Sequence, residues 1–125
     1  MQLSNPNVVP TVIYLSGPMS GYPEYNFLAF REAAEKLRSE GFIVISPHEN
    51  FGEATHHPRH VYMRADIMSV LQADAVCVLN GWLLSKGAKL EVLIAHELDL
   101  PVFRYHGRTD VTMDGDSEAR IKVLR

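Results

Sequence analysis

The sequence predicts an α/β fold: a single domain built on a doubly wound, mainly parallel sheet of four or five strands flanked by helices. Three observations predict it. Short apolar runs rich in β-branched residues alternate along the chain with amphipathic stretches of helical period, the order that builds a parallel sheet with helices on both faces. The apolar runs are continuous rather than alternating, as strands covered on both sides require. The 125 residues, 46% of them hydrophobic, suit one core, and no repeat, low-complexity segment or linker divides them.

The elements follow in order. "TVIYLSG" (11–17) is an apolar run closed by glycine, a buried strand. "GPMSGYPEYN" (17–26) is a loop by its glycines and prolines. "FLAFREAAEKLRSEG" (27–41) is an amphipathic helix with Phe27, Phe30, Ala34 and Leu37 on one face; Asn26 is placed to cap its start and Gly41 its end. "FIVIS" (42–46) is a second strand stopped by Pro47, and "HENFGEATHHPR" (48–59) a long polar loop. "HVYMRADIMSVLQA" (60–73) is a second helix and "DAVCVLN" (74–80) a third strand. "GAKLEVLIAHELD" (87–99) is a third helix and "PVFRY" (101–105) a fourth strand. Beyond His106, "DSEARIKVLR" fits a short helix or a final strand, and residues 1–10 and 106–125 read as extensions of the domain.

This is a Rossmann- or flavodoxin-like arrangement. Such sheets bind ligands beyond the carboxyl ends of their strands, where strand order reverses. The loops 16–26, 46–59, 80–87 and 104–110 lie at that end and hold the unusual residues. A nicotinamide dinucleotide site is not supported: the first loop reads G-P-M-S-G rather than G-x-G-x-x-G, and no acid ends the second strand.

Composition narrows the partners. The formal charge is −3 with no basic block, which argues against a nucleic-acid polymer but permits a small anionic ligand. The one cysteine, Cys77 in "AVCVL", excludes a disulfide within the chain and reads as a small buried hydrophobe in a reducing compartment. No apolar stretch approaches the roughly 20 residues of a membrane span, and "MQLSNPNVVP" lacks the basic and apolar regions of a signal peptide. The expectation is a soluble cytoplasmic protein with no membrane partner.

Two carboxylates stand out. Glu91 follows "SKGAK" near the start of the third helix, where backbone N–H groups and the helix dipole favour a charged acid that can serve as a nucleophile. Asp66 lies beside the apolar stripe Met63, Ile67, Val70 and Leu71, so it is either functional or neutralised by Arg59 or Arg64. Asp74, opening the third strand, reads as a turn or cap. Ser85 and Gly87 before the third helix form a ready anion cradle, and Ser16, Gly17, Ser20 and Gly21 offer another after the first strand. Tyr14, Tyr22, Tyr25 and Trp82 have rings to stack on a base; Trp82, just past a strand end with Asn80, is the better platform. His56, His57 and His60 cluster in "THHPRH" without a carboxylate or cysteine at a partnering spacing, so neither a metal nor another cofactor is expected.

"YLSGPMSGYPEYNF", "RADIMSVLQADAVCVLNGW" and "SKGAKLEVLIAHELDLPV" together resemble the nucleoside 2-deoxyribosyltransferase superfamily over residues 12–104. More closely they look like its small phage and bacterial branch of unknown function, similar to 2′-deoxynucleoside 5′-monophosphate N-glycosidases. The resemblance implies cleavage of the N-glycosidic bond of a nucleoside or its 5′-monophosphate, by hydrolysis or base exchange. It places Glu91 at the nucleophile, Asp66 at the helix aspartate and Asp74 at the acid opening the next strand. Ser85 stands where nucleotide hydrolases carry a phosphate-binding serine, which implies a monophosphate. Two positions depart from the pattern: Pro18-Met19 replace more polar residues, and G-A-K-L-E lacks a second glycine.

The chemistry suits these residue types. N-glycosidic cleavage passes through an oxocarbenium-like state that one carboxylate attacks or stabilises while a second group handles protons. Two other readings remain: a cytokinin-type phosphoribohydrolase, whose P-G-G-x-G-T-x-x-E signature "GAKLE" only faintly echoes, and a non-catalytic nucleotide-binding or sensor module. Relatives assemble into dimers or larger oligomers. The second helix, with Val61, Met63, Ile67, Met68, Val70 and Leu71, is apolar around more of its girth than one core face needs, so a homodimer or larger homo-oligomer is expected.

Overall fold

The computed structural model describes residues 11–53, 57–106 and 121–123, with residues 51–53 and 121–123 described by their backbone alone. Along the chain lie β1 (Val12–Ser16), α1 (Phe27–Ser39), β2 (Ile43–Ile45), α2 (Arg59–Gln72), β3 (Ala75–Val78), α3 (Lys86–Glu97), β4 (Val102–Tyr105) and β5 (Ile121–Val123). Short 3-10 turns, Pro23–Asn26, Pro47–Glu53 and Trp82–Leu84, stand in the connections that lead to the three helices. The strand order is β2-β1-β3-β4-β5. The first four strands run parallel, and β5 lies antiparallel on β4, with Ile121 opposite Tyr105 and Val123 opposite Phe103. Of the two readings of the tail, the strand is the one found at Ile121–Val123; residues 1–10, 107–120 and 124–125 lie outside the described residues.

Alternation along each strand explains why the strand sequences are continuously apolar. Ile13, Leu15, Ala75 and Cys77 face one side of the sheet and pack with Phe30, Ala33, Ala34 and Leu37 of α1. Tyr14, Val76 and Val78 face the other side and pack with Val70 of α2 and Val92 and Ala95 of α3. Successive residues point to opposite faces, and both faces are covered, so no polar residue is needed in between. Cys77 sits wholly inside, where burial pushes its thiol up to about 12, in keeping with its reading as a small hydrophobe.

The helix ends hold one correction. Gly41, at φ 101, terminates α1 by donating its N–H to the Arg38 carbonyl at 3.1 Å. Asn26 does not cap the start of α1. It lies in the left-handed region at φ 63, following Glu24 and Tyr25 at φ 50 and 55, and its side-chain amide instead donates to the Pro18 carbonyl at 2.9 Å. An N-cap residue needs extended backbone to aim its side chain at the first turn. The loop enters α1 through a left-handed turn, so the amide is turned back onto the loop itself.

Asp74 ties strand starts together. Its N–H donates to the Val12 carbonyl at 2.7 Å and its carboxylate accepts from the Val12 N–H at 2.8 Å, the turn-and-cap role its position suggests. On α2 the apolar girth divides in three. Val70 enters the core, Met63 lines a cavity, and Met68 and Leu71 remain about three-fifths exposed at 61% and 59%. Leu93 of α3 is likewise exposed. Among the described residues no helix is long and apolar enough to cross a membrane.

Candidate active site

Strand order reverses between β1 and β3, because the chain steps out from β1 to β2 and then returns to the other side of β1. The loops leaving these strands diverge and leave a crevice. A cavity of about 540 Å³ occupies it. Gly17, Pro18, Met19 and Ser20 line it from the β1 loop, and Pro47 and Asn50 from the turn after β2. Arg59, Tyr62, Met63 and Asp66 line it from α2, and Ser85, Lys86, Gly87, Ala88 and Glu91 from the start of α3. Gly17 is required by close packing: a Cβ there would stand 2.9 Å from Cβ of Leu79, whose N–H bonds the Ser16 carbonyl at 2.9 Å.

Glu91 is the most deeply buried carboxylate facing the cavity. It is 5% exposed, and the hydroxyl of Ser16, itself buried at the end of β1, donates to Oε1 at 2.6 Å. Its carboxyl is pushed up to about 8, chiefly by burial; the charge of Asp66 adds to the rise, while the Ser16 and Tyr14 hydroxyls oppose it. This overturns the expectation that the helix start keeps Glu91 charged. The helix begins at Lys86, so Glu91 lies in its second turn with its own backbone N–H already within the helix ladder. The dipole effect fades within the first turn, whereas desolvation of a carboxylate held between β1 and α3 is large.

Tyr14 stands beside it. Its ring is fully buried, and among the described residues its hydroxyl has no hydrogen-bond partner. The hydroxyl lies near enough to Glu91 to favour the ionised carboxylate, yet outside ordinary hydrogen-bond geometry. Its own proton is held well above the usual phenol range by burial first, then by the charges of Glu91 and Asp66.

Asp66 faces the same cavity from α2. Burial raises its carboxyl to about 6, opposed by the side-chain amide of Asn50, which donates to Oδ1 at 3.3 Å. The expected alternative, neutralisation by Arg59 or Arg64, is not found: among the described residues Asp66 forms no ion pair. Two acids in one cavity, separated in proton affinity by their surroundings, are the arrangement from which acid and base roles are made.

Ser85 is the N-cap of α3, its Oγ accepting from the Ala88 N–H at 3.1 Å. Its hydroxyl hydrogen is left to donate to a ligand oxygen at a helix N-terminus, where anions are favoured. Of the residues singled out in the sequence, Glu91, Asp66, Tyr14, Gly17, Ser20, Ser85 and Gly87 line one cavity, and Ser16 supports it from behind through Glu91. Gly21, Asn80 and Trp82 lie outside the lining. Trp82 packs instead against the core on the α2–α3 side, so it is not the stacking platform expected. Gly81, at φ 86, turns the chain as it leaves β3, and a Cβ there would stand 2.6 Å from the Tyr22 hydroxyl. The aromatic wall is therefore Tyr22, Tyr25 and Phe27, with the Tyr25 and Phe27 rings 6.2 Å apart.

Asn50, Tyr62 and Lys86 line the cavity with no expectation from the sequence, and Arg59, expected only as a partner for Asp66, lines it as well. Asn50 sits in a polar stretch without periodicity, so nothing local marks it. Arg59 and Lys86 are the first residues of α2 and α3. The sequence places the helix starts one residue later, at 60 and 87, so it does not mark either cation as a first-turn mismatch with the dipole.

The comparisons with known proteins agree on the fold. The family described as Domain of unknown function (DUF4406) matches residues 11–104. Among solved structures, a 2-deoxyribosyltransferase from the psychrotolerant bacterium Bacillus psychrosaccharolyticus is similar with TM-score 0.61 and 24% identity, over 75% of this chain and 71% of that one. A conserved protein from Enterococcus faecalis V583 aligns with TM-score 0.60 and 22% identity, over 86% and 70% of the two chains. A 2-desoxiribosyltransferase from Leishmania mexicana aligns with TM-score 0.58 and 20% identity, over 93% and 79%. No curated protein sequence matches significantly.

Proposed function

Since the chain belongs to the DUF4406 family of domains of unknown function, and since its acids converge on a switch-point cavity, we propose that it cleaves the N-glycosidic bond of a (deoxy)nucleoside 5′-monophosphate through a glutamate nucleophile, by hydrolysis or base exchange. The observation that carries this reading is Glu91, buried, bonded by Ser16 and facing the same cavity as Asp66. The deoxyribosyltransferases that share the fold support the reaction class.

The proton balance is coherent. When an oxygen of Glu91 bonds to the anomeric carbon and the carbon–nitrogen bond breaks, the departing base takes up one proton. Burial raises the Glu91 carboxyl to about 8 and Asp66 to about 6, so near neutral pH the pair shares one proton that favours Glu91. Transfer of that proton to Asp66 frees the nucleophile, and Asp66 then delivers it to the base. Water or a second base attacks the resulting glycosyl ester and restores the acid. Ser85, Lys86 and the N–H groups opening α3 suit the 5′-phosphate, and the Tyr22–Tyr25–Phe27 wall suits the base.

The test is incubation with each deoxynucleoside and ribonucleoside monophosphate, followed by chromatography for free base. Release of base that is absent in Glu91→Gln supports the proposal. Saturable binding with no release by the unmodified protein refutes it in favour of a binding module.

A further inference from the structure

We infer, resting on the catalytic reading of Asp66, that Asn50 is a positioning residue: its amide grips one oxygen of Asp66 and leaves the other to take and deliver the proton in the cavity. Asn50 lines the cavity from the turn Pro47–Glu53, and its Nδ2 donates to Asp66 Oδ1 at 3.3 Å. The position of that turn is set independently of Asp66. The neighbouring Glu49 takes a two-pronged bond from Arg38 of α1, at 2.8 Å on each oxygen. The same guanidinium donates to the Val44 carbonyl at 2.7 Å, and the Glu49 N–H donates to the Ser46 carbonyl at 3.0 Å. A planar fork of this kind fixes orientation as well as distance. Asn50 is thus held by a network anchored on α1 and β2 while its amide reaches α2.

The surroundings of Asp66 give the amide its effect. Tyr14 of β1 and Glu91 of α3 face it as electrostatic partners, and burial disfavours its charged form. Arg59, His57 and Lys86 line the same cavity. Among the described residues Asn50 is the hydrogen-bond donor Asp66 has. Its loss would leave Asp66 holding a proton at pH values where the reaction needs it as an acceptor.

The experiment is a carboxyl-carbon NMR titration of Asp66, assigned with Asp66→Asn, in the native protein, Asn50→Leu and Asn50→Asp. Leucine keeps the γ-branched shape and removes the donor; aspartate replaces the donor with a second acid. The expected result is an upward move of the Asp66 titration by about one pKa unit in Asn50→Leu, the lower end of what a hydrogen bond to a charged group supplies. A larger upward move is expected in Asn50→Asp, and the acid limb of kcat/KM should follow Asp66 in both. Should Asn50→Leu fail to fold, Asn50→Asp alone decides. An Asp66 titration that coincides with the native one overturns the inference, whatever the activity. Absence of base release from the native protein would instead refute the proposed reaction and leave this titration interpretable by itself.

Discussion

The Ser16 hydroxyl donates a 2.6 Å hydrogen bond to Glu91 Oε1, joining the last residue of β1 to the second turn of α3 across a sequence separation of 75. This bond favours the charged carboxylate against the desolvation that opposes it. Ser16→Ala should therefore lower kcat/KM near neutral pH by about tenfold, the lower end of a hydrogen bond to a charged group, and move the alkaline limb upward. Glu91→Ala should abolish base release while the circular dichroism spectrum stays native. Retention of activity within a few-fold by Glu91→Ala would remove the nucleophile from the mechanism.

The two acids set a pH window. Below about 6, Asp66 and Glu91 are both protonated and no carboxylate is available to accept. Above about 8 both are ionised, and the departing base has no proton donor. The kcat/KM profile should be a bell with limbs near these values, which belong to the coupled pair rather than to either residue. A profile flat from pH 5 to 9 would contradict the shared-proton scheme.

Stability should move the opposite way from that of most carboxylates. The pKa of Glu91 is raised on folding, from 4.5 to about 8, so the folded chain holds a proton that the unfolded chain releases. The stabilisation is fully present below about 4.5 and is lost as pH rises through about 8. At about 1.4 kcal/mol per pKa unit the effect amounts to a few kcal/mol. Urea midpoints of the native protein should fall between pH 5 and 8.5, and those of Glu91→Gln should fall much less. Parallel curves for the two proteins would show that the buried carboxyl is not the cause.

Ser85 has two tasks that substitution can separate. Ser85→Ala removes an N-cap, costing about 1 kcal/mol, as well as a phosphate donor. Ser85→Asp keeps a good cap but sets a negative charge against the phosphate. The expected outcome is a thermal midpoint near native for Ser85→Asp, with its preference for monophosphates over nucleosides lost or reversed. An unchanged ratio of kcat/KM values would place the phosphate elsewhere.

Of the apolar α2 residues, Met68 and Leu71 stay exposed, as does Leu93 on α3, and a self-association face is predicted there. Light scattering at micromolar concentration should give at least twice 14.1 kDa. Met68→Lys with Leu93→Lys should return the mass of a single chain. A single-chain mass for the native protein, with full activity, would mean that the site is complete within one copy.

The sequence by itself determined the order of strands and helices, the mainly parallel sheet, the end of the sheet where the cavity opens, and the two acids that face it. These are legible because they rest on local periodicity and on the incompatibility of Glu91 and Asp66 with apolar neighbours. Tertiary structure decided the rest. Whether Glu91 is charged depends on burial between β1 and α3, and its place near a helix start suggested the wrong answer. Which rings face the cavity depends on the backbone turns at Glu24–Asn26 and Gly81: Tyr22 and Tyr25 line its open side, and Trp82 packs against the core. Asn50 became visible only when a turn held by Arg38 and Glu49 brought it to Asp66. Proton affinity and side-chain direction depend on contacts between residues distant in sequence, and local sequence patterns do not encode those contacts.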